Sequence, residues 1–386
     1  MTGLKSYSFI GYLTYLIQGT RVTSLAVIMP ILKEQLGLTY ESTGMVFSMG
    51  MLGYFAGSVI TGLTLEKSGC KIPSIIGYIF ISLGMIGIIL SGNSLFLSLS
   101  NFICSLGTAL LQISLPSIAK KYTSKTGKIL NLFYSLFALG AMLTPLILGL
   151  LMNNGISWKY FYTVMAMSNL IPFSIMIRLK IIEDTTHKEK NPGNNYSFLK
   201  MPLFWLMCIA VSLYILTESG INSWSPMVAH DFLGYKNTLA GILPSLFWLG
   251  LFLGRFISSR YVDKVGKSKW LILVLLAGIP VIFLSQKVFS NFVIISIMIF
   301  LAGIIHSSIY PTLQSLLVDR IHKGLGYALS IFASFGGSGG ILSGFIIGNV
   351  SKHFGIQNGY FSIFYFFLIL FVVVSLIFIK DKKSIK

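Results

Sequence analysis

Glu218 is the one acidic residue that we place well inside an apolar segment of this 386-residue chain. Burial of an ionisable side chain in hydrocarbon costs about 2.5–3.5 kcal/mol, so such a residue is expected to have a function. Arg21 lies inside another apolar segment, and a shift of 197 residues (218 minus 21) maps it onto Glu218. Three hypotheses follow: Glu218 carries a proton, accepts a hydrogen bond from a ligand, or forms a structural ion pair with Arg21.

Other polar residues inside apolar segments could bind a polar ligand. His306, Tyr310 and Gln314 are spaced by four residues, which predicts one polar face of a helix. Lipid cannot satisfy such a face, so it should contact water or a ligand. A single His is also common as a packed core residue, and a Trp as a residue of the membrane interface, so both alternatives stay open. The further candidates are Gln18, Gln112, Asn222, Trp224 and Trp248.

The composition predicts that these residues lie in a membrane protein. The chain is 54% hydrophobic and 10% charged, with a mean hydropathy of +0.81. Because a membrane helix needs about 20 apolar residues, the apolar runs predict an all-α bundle of about twelve membrane helices. They lie near residues 7–32, 42–63, 72–91, 94–119, 128–152, 158–178, 203–229, 239–259, 270–288, 291–318, 325–348 and 359–380.

A polar stretch separates these helices into two sets of six. It predicts a first bundle over residues 1–178, a cytoplasmic linker over 179–201 and a second bundle over 202–386. The shift of 197 residues also aligns a short sequence motif in the two halves, called here the repeated phrase. This indicates a duplicated architecture of the kind found in secondary transporters. The aligned pairs are Gly53 with Gly250, Phe55 with Phe252, Gly57 with Gly254, Glu66 with Asp263, Lys67 with Lys264 and Gly69 with Gly266.

The acid, the glycine turn and the cation in each copy of the phrase predict a charged latch to a neighbouring helix. The latch residues are Glu66, Lys67 and Gly69 in the first half, and Asp263, Lys264 and Gly266 in the second. A tight basic turn without a latch is the simpler alternative. Glycines spaced by four residues predict close packing of helices instead. These are Gly53 and Gly57, Gly250 and Gly254, and Gly336, Gly340, Gly344 and Gly348.

The distribution of the charges that make up the net charge of +18 indicates the membrane topology. Successive connecting segments lie on alternate sides of the membrane, and most Lys and Arg residues fall in the segments of one side and in the termini. Because basic residues concentrate on the cytoplasmic side, this predicts a cell-membrane protein with both termini in the cytoplasm. This distribution argues against nucleic acid as a partner. The expected partners are a small-molecule substrate, membrane lipid and a coupling proton, and we expect a monomer. The three cysteines have no metal-binding spacing, so neither a metal nor a cofactor is expected.

The first loop, Gly62-Leu-Thr64-Leu-Glu66-Lys67-Ser-Gly69-Cys70-Lys71, resembles the G-x-L-x-D-R-x-G-R-K signature of the major facilitator superfamily. Three further segments resemble the fucose–proton-symporter-like sugar branch of that superfamily. They are Asn131 to Pro145, which carries Tyr134 where a His is common, Glu218-Ser-Gly220 to Trp224, and Ile309-Tyr310-Pro311-Thr312 to Asp319-Arg320. The resemblance implies two six-helix bundles, alternating access, and a sugar or sugar derivative as the solute, bound by residues that include Tyr134.

The chain also departs from that branch. The fourth apolar segment lacks the Arg of the superfamily and has Gln112 where the branch often carries an acid. The first has Gln18 and Arg21 but no acid near its middle. Proton coupling therefore cannot be carried over from the branch, and Glu218 is the candidate for it. The alternative is an efflux transporter or an organic-anion carrier, which Arg21 and Arg255 with a single acid would suit. No arrangement of paired carboxylates, metal ligands or nucleophiles predicts an enzyme.

Overall fold

The computed structural model describes residues 2–122, 126–179, 197–258, 260–287, 291–321 and 325–383. Twelve helices or pairs of helices cross the bundle, which confirms the predicted all-α fold. They are α1 Thr2–Gln35, α2 Tyr40–Ser68, α3 Lys71–Leu90, α4 Ser94–Tyr122, α5 Thr126–Asn153, α6 Trp158–Arg178, α7 Pro202–Phe232, α8 Ile242–Ser258, α9 Lys267–Lys287, α10 Phe292–Arg320, α11 Leu325–Phe354 and α12 Ile356–Lys383.

Eleven of these helices are long and apolar enough to span a bilayer within the described residues, and α8 is a shorter apolar helix. Two of these helices are interrupted, α6 at Asn169 and α10 at Ser307 and Ser308. The last turn of α7, Val228–Phe232, is π-helical, a feature found often at functional positions. Three short helices lie between the spans, at Ser197–Lys200, Asn237–Ala240 and Val262–Val265.

The two halves repeat one packing scheme. In the first half α1 packs on α5, and α4 packs on α2 and α3; in the second, α7 packs on α11, and α10 packs on α8 and α9. The repeated glycines explain the closest contacts. A Cβ added at Gly53 would meet the backbone of Phe102 in α4, and one added at Gly250 would meet the backbone of Phe300 in α10. Both glycines therefore let two helices approach at the backbone, as predicted.

The glycine repeat of α11 lies against α2, across the boundary between the halves. Gly44 of α2 faces the carbonyl oxygen of Gly344 and the Cα atom of Gly348. Farther along the same two helices, Gly340 faces the Met51 side chain. The α5 and α8 helices pack together in the matching position, and α1 contacts α7. The halves thus meet along α2–α11, α5–α8 and α1–α7. The predicted domain boundaries remain a prediction, because residues 180–196 lie outside the described residues.

One end of the bundle, called here the closed end, is joined across the halves by polar contacts. Asp231 of α7 accepts hydrogen bonds from Lys33 Nζ at 2.8 Å and from Tyr40 Oη at 2.9 Å. Glu41 forms an ion pair with Lys352. Closer to the middle, Ser48 Oγ donates to the Ile341 carbonyl, and Ser245 Oγ to the Met142 carbonyl, at 2.8 and 2.7 Å.

The other end, called here the loop end, carries the two repeated loops. Gly69 and Gly266 have φ angles of 67° and 93°, values that favour glycine, so both copies of the phrase end in the same kind of turn. The polar contacts between described residues here stay within one half. Lys71 Nζ donates to the carbonyls of Ile177 and Leu179, both at 2.9 Å. Each half is therefore fastened to itself at this end.

Candidate functional site

Glu218 lies near the middle of α7 and is half-buried. Tyr214 lies one turn earlier on the same helix, and its hydroxyl is close enough to interact with the carboxylate. The cation that acts on Glu218 electrostatically is Arg255 of α8. No direct salt bridge joins the two, although both belong to the described residues. The carboxylate thus lies beside a neutral hydroxyl and faces a nearby positive charge.

Arg21 does not lie beside Glu218. Its Nη1 atom donates to Ser105 Oγ of α4 at 3.3 Å, and its charge acts on Cys104 and on Tyr162 of α6. All of these residues belong to the first half. The structural ion pair between Arg21 and Glu218 that the repeat suggested is therefore not formed in this structure. The repeat places the two residues at similar depth in their helices, but it does not make their side chains point toward each other.

The first half contributes tyrosines and an amide to the space opposite Glu218. Tyr54 Oη of α2 donates to Gln112 Oε1 of α4 at 2.9 Å. Tyr134 of α5 is 49% exposed, and its ring packs edge-on against Tyr15 of α1, with centroids 5.4 Å apart. Because Tyr54 occupies the amide oxygen of Gln112, the amide nitrogen is left to donate. This part of the site can therefore both donate and accept hydrogen bonds.

Groups of the two halves lie near enough to interact electrostatically. Arg255 acts in this way on Tyr134, and Tyr310 of α10 on Tyr54. The Tyr310 ring packs against Tyr214, with centroids 6.1 Å apart, and also interacts with Glu218. We call this group of facing side chains the central cluster. Its members are Tyr54, Gln112, Tyr134, Tyr214, Glu218, Arg255 and Tyr310.

Sequence reasoning identified Gln112, Tyr134, Glu218 and Tyr310 as ligand-binding candidates and named Arg255 as a possible anion contact, but missed Tyr54 and Tyr214. The chain has 18 tyrosines, and many lie in apolar segments. Tyr54 lies inside the repeated phrase, between Gly53 and Phe55, and that position could have identified it as a candidate site residue. Tyr214 lies one turn before Glu218, so a search for polar neighbours at helical spacing would have found it.

His306 and Tyr310 both pack against the Tyr214 ring, with centroids 5.9 and 6.1 Å away, although the helix is interrupted between them at Ser307 and Ser308. Tyr310 and Gln314 do lie one turn apart in the second segment of α10, and both are half-buried. The predicted three-residue stripe therefore stays a prediction.

His306 is fully buried among aromatic rings of three helices. Its ring centroid lies 5.9 Å from that of Tyr214, 5.7 Å from that of Phe247 and 5.6 Å from that of Phe367. Nδ1 is 2.8 Å from the Ala302 carbonyl and therefore carries a proton, and Nε2 is 3.1 Å from Thr217 Oγ1. This is the packed arrangement of a structural histidine.

The predicted tryptophans lie between the central cluster and the closed end. Trp248 Nε1 donates to Asn222 Oδ1 at 2.8 Å, and its ring packs edge-on against Phe137 of the first half at 5.8 Å. Trp224 is fully buried and packs against Phe47 at 5.7 Å. In this conformation both rings pack across the halves and cover the cluster on that side.

Gln18 is a separate case, because it is 1% exposed and neither atom of its amide has a hydrogen-bond partner among the described residues. A buried amide without partners is unfavourable by about 1–3 kcal/mol, so a ligand or water is expected there at some stage. Gln18 lies one turn before Arg21 on α1. The two residues mark a second polar position in the first half.

The predicted latches are described only in part, since the side chains of Glu66, Lys67 and Asp263 lie outside the described residues. Lys264 is exposed. The ion pairs seen nearby involve other residues. Lys267 Nζ contacts Asp319 Oδ2 at 2.6 Å, and Arg320 Nη2 contacts Asp381 Oδ1 at 2.5 Å. The second half is thus fastened through the Asp-Arg pair at the end of α10.

Comparison with known proteins places this geometry in a family. The Major Facilitator Superfamily matches residues 11–343 and 240–386. A TsgA homolog of Buchnera aphidicola subsp. Baizongia pistaciae is 23% identical and aligns over 97% of each chain. A TsgA homolog of Yersinia pestis is 22% identical over 80% of this chain and 79% of its own.

Solved structures show the same fold. The nucleoside transporter NupG matches with a TM-score of 0.80 at 13% identity, over 98% of this chain and 99% of that one. The D-xylose-proton symporter matches with a TM-score of 0.79 at 14% identity, over 97% of both chains. A bacterial homolog of the human lysosomal transporter Spinster, in an inward-facing and unoccupied conformation, matches with a TM-score of 0.77 at 14% identity over 98% of both.

Proposed function

We propose that this chain, which belongs to the Major Facilitator Superfamily, is a secondary transporter of a small polar solute, a sugar or sugar derivative. The observation that carries the proposal is the central cluster, in which tyrosines, an amide, a carboxylate and a guanidinium from both halves face one another inside an apolar bundle. A hydroxylated solute offers donors and acceptors to all of these groups. Two proteins with the same fold, a nucleoside transporter and a D-xylose-proton symporter, support this class.

Alternating access follows from the position of the cluster between the two ends. Trp224, Trp248 and the contacts of the closed end separate the cluster from one side. On the other side Tyr134 and Arg255 are exposed. We take the loop end as cytoplasmic, because the predicted topology concentrates Lys and Arg there. The structure then represents an inward-open state in the cell membrane, with both termini in the cytoplasm.

Glu218 is our candidate for the proton carrier. Among the described residues it is the acid at mid-depth, and it is free of a direct salt bridge while facing Arg255. A proton on Glu218 would remove the negative charge that Arg255 faces and so change the electrostatic potential that the solute and the first half meet at the central cluster. The driving force of a proton gradient can enter the transport cycle in this way.

The test is uptake by proteoliposomes that contain the purified protein, with and without an imposed proton gradient. Pentoses, hexoses, deoxyhexoses, amino sugars, hexuronates and nucleosides are first ranked by the thermal stabilisation that they give. The best solute should accumulate in response to the gradient. Glu218→Gln should still exchange labelled for unlabelled solute but lose accumulation, whereas Glu34→Gln, a matched acid-to-amide change at the closed end, should keep both. Accumulation by Glu218→Gln would refute the proton role, and stabilisation by none of the solutes would refute the solute class.

A second candidate function is an efflux transporter or organic-anion carrier. Two arginines, Arg21 and Arg255, lie inside membrane helices and only Glu218 opposes them among the described residues. Stabilisation by carboxylates that carry no hydroxyl groups, without any response to sugars, would favour this candidate.

A further inference from the structure

Positive side chains outnumber negative ones inside the bundle, because the acids near the helix ends are already paired. Apart from Glu218, each acid whose side chain is described is engaged by a cation or a histidine. The pairs are Glu34 with His230, Asp231 with Lys33, Glu41 with Lys352, Asp319 with Lys267 and Asp381 with Arg320. These pairs lie toward the two ends of the bundle. Glu218 is therefore the described acid that remains for the cations farther inside.

Arg21 is one of these cations, and its surroundings are neutral. It lies 14 residues from either end of the Tyr7–Gln35 span. Its guanidinium donates to the Ser105 hydroxyl and interacts with the neutral Cys104 thiol, and its Nε atom has no partner among the described residues. A guanidinium at this depth is costly unless a negative group approaches it. Arg21 therefore gives the first half an uncompensated positive potential.

Arg255 is the second cation, and it lies near the loop-end terminus of α8, Ile242–Ser258. Its side chain is exposed, and it interacts with both Glu218 and Tyr134 without a direct salt bridge to the carboxylate. Its planar group keeps donors free for a planar anion, which it can bind through two parallel hydrogen bonds. With Arg21 and Arg255 against Glu218, the described residues leave one positive charge in excess.

We propose that the solute is a hydroxylated monocarboxylate, a sugar acid, whose single negative charge balances this excess. The proposal rests on the proposed function and narrows its solute class. The carboxylate binds the Arg255 guanidinium, the hydroxyl groups bind Gln112 and the tyrosines of the central cluster, and Arg21 adds attraction at longer range. A neutral sugar satisfies the same hydroxyl contacts but leaves the charge unbalanced.

The experiment compares hexuronates with the matching hexoses: D-glucuronate, D-galacturonate and D-mannuronate against D-glucose, D-galactose and D-mannose. Binding to the full-length purified protein is measured by calorimetry and by thermal shift, with each apparent melting temperature as a check on folding. A charged hydrogen-bonded contact predicts that one uronate binds about tenfold or more tightly than its hexose. Arg255→Gln should remove that preference, and Arg255→Lys should keep part of it because the charge remains.

Arg260→Gln is the matched control, since it removes a cation of the same type that lies beyond α8, over the Phe256 ring at 4.8 Å. It should leave the preference unchanged. Arg21→Gln should lower uronate affinity by about threefold to tenfold and hexose affinity by less, because its effect is electrostatic and acts at a distance.

The outcomes separate the two proposals. Uronate preference that depends on Arg255 supports both. A folded protein that binds hexoses as tightly as uronates, or an Arg255→Gln variant that keeps the preference, overturns the sugar-acid proposal while the sugar-transporter function stands. A folded protein that binds neither set and none of the other sugar derivatives overturns the proposed function as well.

Discussion

The two ends of the bundle are fastened in different ways. At the closed end the polar contacts join one half to the other, through Asp231 with Lys33 and Tyr40, and through Glu41 with Lys352. At the loop end the polar contacts between described residues join helices of the same half, as in Lys267 with Asp319. Contacts within a half survive when the halves rotate, whereas contacts between halves must break. Among the described residues, the contacts that must break are those of the closed end.

This difference assigns separate roles to similar side chains. A contact within one half contributes to the stability of that half in every state of the cycle. A contact between the halves at the closed end stabilises only the state in which that end is closed, and so changes the ratio of the two states. Substitutions at the closed end should shift the conformational equilibrium, and comparable substitutions at the loop end should change stability without shifting it.

Asp231→Asn should give the largest shift. Asp231 Oδ2 accepts from both Lys33 and Tyr40, and the side chain is 12% exposed, so its loss leaves a poorly solvated lysine. We expect the closed end to lose about 2 kcal/mol, less than for a fully buried pair because water reaches Lys33. The measurement is the distance between spin labels on Gly92→Cys and Asn358→Cys, two exposed positions at this end, which should show an added longer population.

The matched control for that variant is Asp319→Asn, which removes the acid of the Lys267 pair at the loop end. It should leave the distance distribution between the labels unchanged. A similar long population in both variants would mean that charge loss anywhere loosens the protein, and the comparison between the ends would fail.

The fold could be predicted from the sequence to a large extent, because each membrane helix needs its own run of apolar residues and each turn interrupts that run with polar residues or glycine. The break in α10 was missed, since nothing in Ser307-Ser308 distinguishes it from the small polar residues tolerated in other membrane helices. The contact between Lys33 and Asp231 could not be predicted either. The two residues are 198 positions apart, and local patterns carry no information about which helix ends meet.

The candidate site was predicted in its residue types but not in its pairing. The repeat places Arg21 and Glu218 at equivalent positions of two similar halves, and each then faces the equivalent helices of its own half. Arg21 points to Ser105 of α4, and Glu218 interacts with Tyr310 of α10. Equivalence by duplication therefore argues against direct pairing. This geometric consequence becomes visible only when the packing scheme is known.

Gly44→Ala should give the second-largest shift. A Cβ atom at this position would overlap the carbonyl oxygen of Gly344, a backbone atom that cannot move aside without separating α2 from α11. Overpacking of this kind costs about 1–3 kcal/mol. The same pair of spin labels should report a longer population, smaller than that of Asp231→Asn.

Gly336→Ala provides the control for steric effects. It lies on α11, the helix that Gly44 meets, but an added Cβ would approach the Ile215 side chain no closer than 3.5 Å, an ordinary contact. Both variants gain the same methyl group and the same helix propensity. An equal effect of the two substitutions would show that the interface responds to helix propensity rather than to the close approach of α2 and α11.

Glu41→Gln should give the smallest shift. Glu41 and Lys352 form an ion pair across the halves, but their side chains are 47% and 45% exposed. Exposed pairs of this kind contribute about 0–1 kcal/mol and are screened by salt. The label distances should therefore change little at low ionic strength and not at all near 1 M salt, where the Debye length is about 3 Å. The effect of Asp231→Asn should persist in the same salt, because its partners are less exposed. If salt abolished both effects equally, the closed end would be held by surface charge alone, and the less exposed contacts of Asp231 would have no special part in closing it.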